Sequence, residues 1–239
     1  MLVSLVLGIV AGFANIFGGM VAVRRTWPQH YLRYFIALGA GFMMSVALLD
    51  MLPESLKFSA AWTPALMLGG FCITHLIEHT ITPHFHVGEE THVHEFLHKH
   101  TGYSVLIGIS VHALFDGVAI ASGFVVSTWL GWLIFIAIFL HKIPVGFTVA
   151  SVTLASGRSR RAAVLSAVVL AGSTVAGVLA ISLIPSWVRV GLPVSAGVTV
   201  YVASTDLLPE VNREPGIRMA LVFFLGVAIF LAIRLLAPV

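Results

Sequence analysis

Charge is scarce in this chain. Only 10% of its 239 residues are Asp, Glu, Lys or Arg, against about 25% in a soluble domain. That shortage excludes a soluble globular protein. With 59% hydrophobic residues and a mean hydropathy of +1.02, the chain reads as a polytopic membrane protein. Cysteine is scarcer still: Cys72 is the only one, so no internal disulfide can form. Within its apolar run it reads as a packed small hydrophobe. No nucleotide-binding motif appears, so ATP does not drive the protein directly. The sequence pI of about 9.4 comes from Arg-rich loops without an aromatic-interleaved basic patch, which excludes nucleic acid as a partner. The first hydrophobic run has no basic segment before it and no small-residue cleavage site, so it reads as a first span and not as a signal peptide.

What is present is length enough for eight spans of about 20 apolar residues. They fall at 2–23, 31–52, 61–82, 103–127, 129–155, 161–184, 190–209 and 217–237. Basic residues set their orientation. With the N-terminus outside, the cytoplasmic side receives Arg24, Arg25, Arg33, Lys99, Arg158, Arg160, Arg161, Arg213 and Arg218. The outer side receives Lys57, Arg189 and Arg234. Both termini are therefore expected outside, and the 83–102 loop in the cytoplasm.

Two phrases inside the hydrophobic runs are out of place: His112-Ala113-Leu114-Phe115-Asp116-Gly117 and His141-Lys142-Ile143-Pro144-Val145-Gly146. A charged side chain at the centre of a span costs about 3 kcal/mol on insertion scales. Both phrases follow one template, His-x-x-x-x-Gly. His112 and Asp116 are four apart, so they share a helix face. Span four centres near residue 115 and span five near 142, which puts His112, Asp116 and His141 at one depth near the midplane. Imidazole and carboxylate converging there are expected metal ligands. Water, Ser110 or the Leu140 carbonyl could complete the set, since Pro144 has no N–H to occupy that carbonyl. Such a mixed N/O site suits Zn²⁺ and also Fe²⁺, Mn²⁺, Co²⁺ or Cd²⁺.

A second repeat flanks the centre. Span two ends Asp50-Met51-Leu52-Pro53-Glu54 and span seven ends Asp206-Leu207-Leu208-Pro209-Glu210. Three helices (1–82), a His-rich loop (83–102), a central pair (103–155) and three helices (161–239) make a 3+2+3 inverted repeat in a single transmembrane domain. Inverted repeats around a midplane site belong to transporters. The inversion places Asp50 and Glu54 at the outer mouth and Asp206 and Glu210 at the inner one, as attractors of a cation.

The tandem of His112-x-x-x-Asp116-Gly117 and His141-x-Ile143-Pro144-x-Gly146 resembles the ZIP family of metal transporters. The resemblance extends to eight spans, outside termini, the His-rich loop and Asp-x-Leu-Pro-Glu in span seven, and so covers essentially the whole chain. It implies transport of Zn²⁺ or a related divalent ion into the cytoplasm, between spans four and five. The departures are specific. Ala113 stands where the family usually has Asn, Lys142 where it has an acid or polar ligand, and Val145 where it commonly has His or Glu. Many members resemble a two-metal site. The Lys142 ammonium is expected to replace the second metal with a fixed charge, leaving one transport site.

Six of the eleven histidines lie in the loop: His84, His86, His92, His94, His98 and His100, with Glu89, Glu90 and Glu95. They read as a cytoplasmic metal acceptor or sensor, weakening below about pH 6.5. His75, Glu78 and His79 just before it form a His-x-x-Glu-His pattern that proteases also use. No third ligand or substrate cleft accompanies it, so an accessory metal role is expected. The sequence thus points to a divalent-metal carrier working by alternating access, with spans four and five moving. It is not an enzyme, and it needs no catalytic cofactor, the metal being substrate. An intramembrane metal-dependent hydrolase and an exporter like the cation diffusion facilitators are the alternatives. The expected surroundings are the lipid bilayer of a cell membrane, the short loops and absent targeting peptide suiting a bacterial inner membrane, and the small-residue faces permit a homodimer.

Overall fold

The computed structural model describes residues 1–24, 29–81, 101–212 and 217–236, and among these the side chains of residues 29, 30, 32, 81, 101, 102, 104 and 210 are not described. The six loop histidines from His84 to His100 therefore lie outside the described residues, as does the side chain of Glu210. Every described element is helical. A chain this apolar satisfies its backbone within each helix, which needs no partner strand and no water.

Helix α1 spans Leu2–Arg24. α2 (Gln29–Val46) passes through a π-helical segment, Ala47–Met51, directly into α3 (Leu52–Phe58). α4 is Thr63–Ile81, α5 Thr101–Val126, α6 Thr128–Ala155 and α7 Arg160–Leu183. A short 3₁₀ turn leads to α8 (Val188–Tyr201), a second π segment (Val202–Leu207), α9 (Leu208–Asn212) and α10 (Ile217–Leu236). Serines punctuate the tight connections. Ser127 Oγ accepts from Leu130 N at the start of α6, and Ser159 Oγ from Ala162 N at the start of α7. Gly157 sits between α6 and α7 with φ +78°, a region where a side chain is strained.

The expected ends of spans two and seven are corrected. Each was placed next to its proline, yet the helix runs through Pro53 to Phe58 and through Pro209 to Asn212. A proline inside an α-helix removes one N–H and clashes with the carbonyl four residues back. Here the π register takes up the misfit. Leu52 N–H reaches Ala47 O and Leu208 N–H reaches Ala203 O, each five residues back, just before the proline. Both Asp-x-Leu-Pro-Glu motifs thus carry the same local structure.

Among the described residues, seven stretches are long and apolar enough to cross a membrane: Leu2–Arg24, Arg33–Phe58, Val105–Val126, Thr128–Ala155, Arg160–Leu183, Pro185–Leu207 and Ile217–Leu236. α4 is a 19-residue helix in the place of the expected third span but is not one of the seven, because His75, Glu78 and His79 dilute its C-terminal half. Cys72 is exposed on α4, not packed as its apolar neighbours suggested. Hydropathy does not say which helix face turns inward.

Four helices, α1, α5, α6 and α7, pack on one another. α10 packs along α2, and α4 along α8; α2 then meets α6, and α5 meets α8. Small residues bring the backbones close. A Cβ on Gly117 would overlap the Thr174 carbonyl, and one on Gly177 the Leu114 carbonyl, which closes α5 on α7. Gly146 and Gly18 do the same for α6 and α1, against the carbonyls of Asn15 and Ile143.

Candidate metal centre

α5 and α6 supply the centre. His112 and Asp116 lie one turn apart on α5, and His141 and Lys142 are adjacent on α6; all four are buried. Asp116 Oδ2 is the hub. It stands 3.2 Å from His112 Nε2, 3.4 Å from His141 Nε2 and 2.7 Å from Lys142 Nζ. The two Nε2 atoms are 3.4 Å apart. Ligand atoms about 2.0–2.1 Å from a tetrahedral ion stand about 3.3 Å from one another. The His112–Asp116–His141 triangle has the size of one face of such a polyhedron. Among the described residues, no other group of three or more His, Cys, Asp and Glu brings its donor atoms within 4.8 Å of one another.

The surroundings orient the donors. His141 Nδ1 lies 3.0 Å from the Ala137 carbonyl, so Nδ1–H donates and Nε2 faces the centre. Such backing of a ligating imidazole is usual at metal sites. His112 Nδ1 is buried without a hydrogen-bond partner, and so is Ser110 Oγ. Lys142 donates to Thr174 Oγ1 on α7 at 3.0 Å while it pairs with Asp116. Carboxylate and ammonium pair directly, with the two imidazoles beside them. A Cβ on Gly39 of α2 would make ordinary contact with His141 and the Leu140 carbonyl carbon, so α2 borders the centre.

Ala113 and Val145 lie together with Val149, Ala167 and Leu170 in a small apolar cluster. The other candidate residues stand apart. Asp50 belongs to the first π segment, where its Oδ1 lies 3.4 Å from Arg234 Nε on α10. Glu54 pairs with Lys57 on the surface of α3. Asp206 is buried in the second π segment and accepts from Thr205 Oγ1 at 3.1 Å. On α4, the rings of His75 and His79 lie 4.0 Å apart, and His79 Nδ1 donates to the His75 carbonyl. His75 Nδ1 is 3.4 Å from the Tyr201 hydroxyl, and Glu78 lies near that hydroxyl. Sequence reasoning missed Thr174, and it counted Arg234 only among the outer-side basic residues. Neither belongs to a short-range pattern, because each reaches its partner from a different helix.

A bundle of long apolar helices with a buried His/Asp donor set at the meeting of two of them defines a polytopic membrane protein with a candidate metal site. The family comparison is specific about the kind. The ZIP zinc transporter family profile matches residues 97–234, more than half of the chain, and the chain belongs to that family. The zinc transporter ZIP13 homolog of Drosophila melanogaster is 30% identical over 152 residues, covering 58% of this chain and 42% of that protein. Zinc transporter ZIP9-A of Xenopus laevis is 29% identical over 156 residues, 60% of this chain and 50% of its own length. Zinc transporter SLC39A7 of Mus musculus is 30% identical over 140 residues, 53% and 29%. The chain thus matches at most about half the length of these relatives. All three come from animals and lend no support to a bacterial source. The protein is a multi-pass membrane protein.

Proposed function

We propose that this chain carries divalent metal ions across a membrane into the cytoplasm, Zn²⁺ foremost, through one site made by His112, Asp116 and His141. The observation that carries the reading is the buried triangle of donor atoms, spaced 3.2–3.4 Å like the face of a tetrahedral ion site. Three protein ligands leave a position for water, which suits a carrier that must release its cargo.

The site holds one ion. Lys142 occupies Asp116 with a charge that cannot exchange, and Ala113 and Val145 offer no donors. The architecture is eight crossings in a 3+2+3 inverted repeat with both termini outside, α4 being the eighth. The packing supports this division. Exchanging α1 with α7, α2 with α8, α4 with α10 and α5 with α6 turns the packing pairs into one another: α1–α6 into α7–α5, α2–α10 into α8–α4, α2–α6 into α8–α5. The close glycines exchange with them. Asp50 and Asp206 then sit at opposite mouths, and the cluster of His75, Glu78 and His79 faces the inner one, next to the histidine loop that serves as acceptor.

Alternating access needs a moving unit larger than the central pair. Gly117, Gly177, Gly146 and Gly18 bind α5 and α6 to α7 and α1 through backbone contact. These four helices move together against the α2–α10 and α4–α8 pairs. The test is Zn²⁺ uptake into proteoliposomes. The wild type transports, while His112→Ala, Asp116→Ala and His141→Ala each lose at least tenfold of their rate. No wild-type uptake of any divalent ion overturns the reading.

A further inference from the structure

The two mouths can be compared residue by residue, because the glycine contacts fix their register. A Cβ on Gly41 of α2 would meet the Phe223 carbonyl of α10, and one on Gly226 of α10 the Leu38 carbonyl. In the other half, Gly197 of α8 meets Met67 of α4, and Gly70 of α4 meets Val194. Nine residues after Gly41 stands Asp50, and nine after Gly197 stands Asp206. Eight residues after Gly226 stands Arg234, and eight after Gly70 stands Glu78. The halves therefore place opposite charges at equivalent positions. One mouth couples an aspartate to a guanidinium. The other sets an aspartate and a glutamate near Tyr201, whose hydroxyl lies 3.4 Å from His75 Nδ1.

The Asp50–Arg234 contact is loose. Its closest approach is 3.4 Å, against about 2.7–2.9 Å for a tight charge-assisted bond. The Arg234 side chain is 45% exposed and that of Asp50 only 14%. The second carboxylate oxygen, Oδ2, is buried and has no hydrogen-bond partner. Asp50 is thus a half-satisfied acid covered from outside by a movable cation. The guanidinium cannot lose its proton, and its tether keeps it at high local concentration.

We infer that Arg234 is a tethered competitor seated on the outer acid: a latch that an incoming divalent cation displaces from Asp50, and that sets the apparent KM of uptake. A divalent ion exchanges two charges for one and displaces the latch; Na⁺ or K⁺ brings only one and competes poorly. The inner mouth has no such cation at the equivalent position, where Glu78 stands, so release toward it is not opposed in this way.

The inference rests on the reading of Asp50 as a mouth acid, and one set of variants separates the two. Zn²⁺ uptake is measured against concentration in proteoliposomes. Arg234→Gln lowers the apparent KM about two- to five-fold, the range of a partly exposed ion pair, with Vmax unchanged; Arg234→Lys falls between. Asp50→Asn raises the KM, and adding Arg234→Gln to it changes nothing further. If Asp50→Asn raises the KM but Arg234→Gln leaves it unchanged or raises it, the latch is overturned and the mouth stands. If Asp50→Asn leaves uptake unchanged, the mouth and the latch both fall.

Discussion

His112 on α5 and His141 on α6 open the same six-residue phrase, and each phrase closes on a glycine that admits a neighbouring carbonyl, Thr174 for Gly117 and Asn15 for Gly146. Between those ends the two differ at every polar position. α5 offers Asp116 where α6 has Val145; α6 offers Lys142 where α5 has Ala113. His141 is held through Nδ1 by the Ala137 carbonyl, and His112 Nδ1 has no partner. The shared template fixes the helix contacts and the depth at which the rings enter. The chemistry lies in the positions where the copies diverge, and the divergence puts one carboxylate against one ammonium at the centre of a pseudo-symmetric frame.

The sharpest way to break that asymmetry is Lys142→Met. It leaves Asp116 as a buried carboxylate without its counter-ion, and removing one partner of a buried pair costs about 3–5 kcal/mol. Thermal unfolding in detergent should fall accordingly and recover on adding Zn²⁺, the metal taking the ammonium's part. An unchanged melting temperature without metal would show that Lys142 does not balance Asp116. Gly117→Ala and Gly146→Ala test the equivalence of the frame. Each drives a methyl group into a backbone carbonyl, at a cost of about 3 kcal/mol, the upper range for overpacking. Closely matched losses of unfolding temperature are expected, and a large disparity would sink the equivalence. Thr174→Val has the smallest effect. It removes one hydrogen bond to the buried ammonium, about 1.5 kcal/mol, and a chain as stable as the wild type would count against Thr174 as a Lys142 partner.

Much of this frame is legible in the sequence. Long apolar runs locate α1, α5, α6, α7 and α10 to within a few residues, and a spacing of four is enough to put His112 and Asp116 on one face. The proline motifs are legible as a repeat but not as structure, because a proline after a long helix reads as its end. Only the fold reveals the π register that carries the helix past it. α4 mixes ionisable groups into its last turns, so its composition understates its helix. Thr174 lies 32 residues from Lys142 and joins it only once α7 closes on α5 and α6. Arg234 meets Asp50 from the far end of the chain. The Glu54–Lys57 ion pair on the surface of α3 likewise appears only in the structure, since Glu54 reads from the sequence as a mouth acid and Lys57 as an outer charge.

The pairing of Lys142 with Asp116 has an electrical consequence. With both histidines neutral, the empty site carries no net charge, and the loaded site carries the two charges of its ion. On the proposed cycle, the return of the empty carrier is indifferent to membrane voltage, while the loaded stroke moves charge through it. Each elementary charge crossing 100 mV is worth about 2.3 kcal/mol. An interior-negative potential therefore pulls on the cargo alone, and uptake by this protein should register as an inward current that stops when the metal is withdrawn.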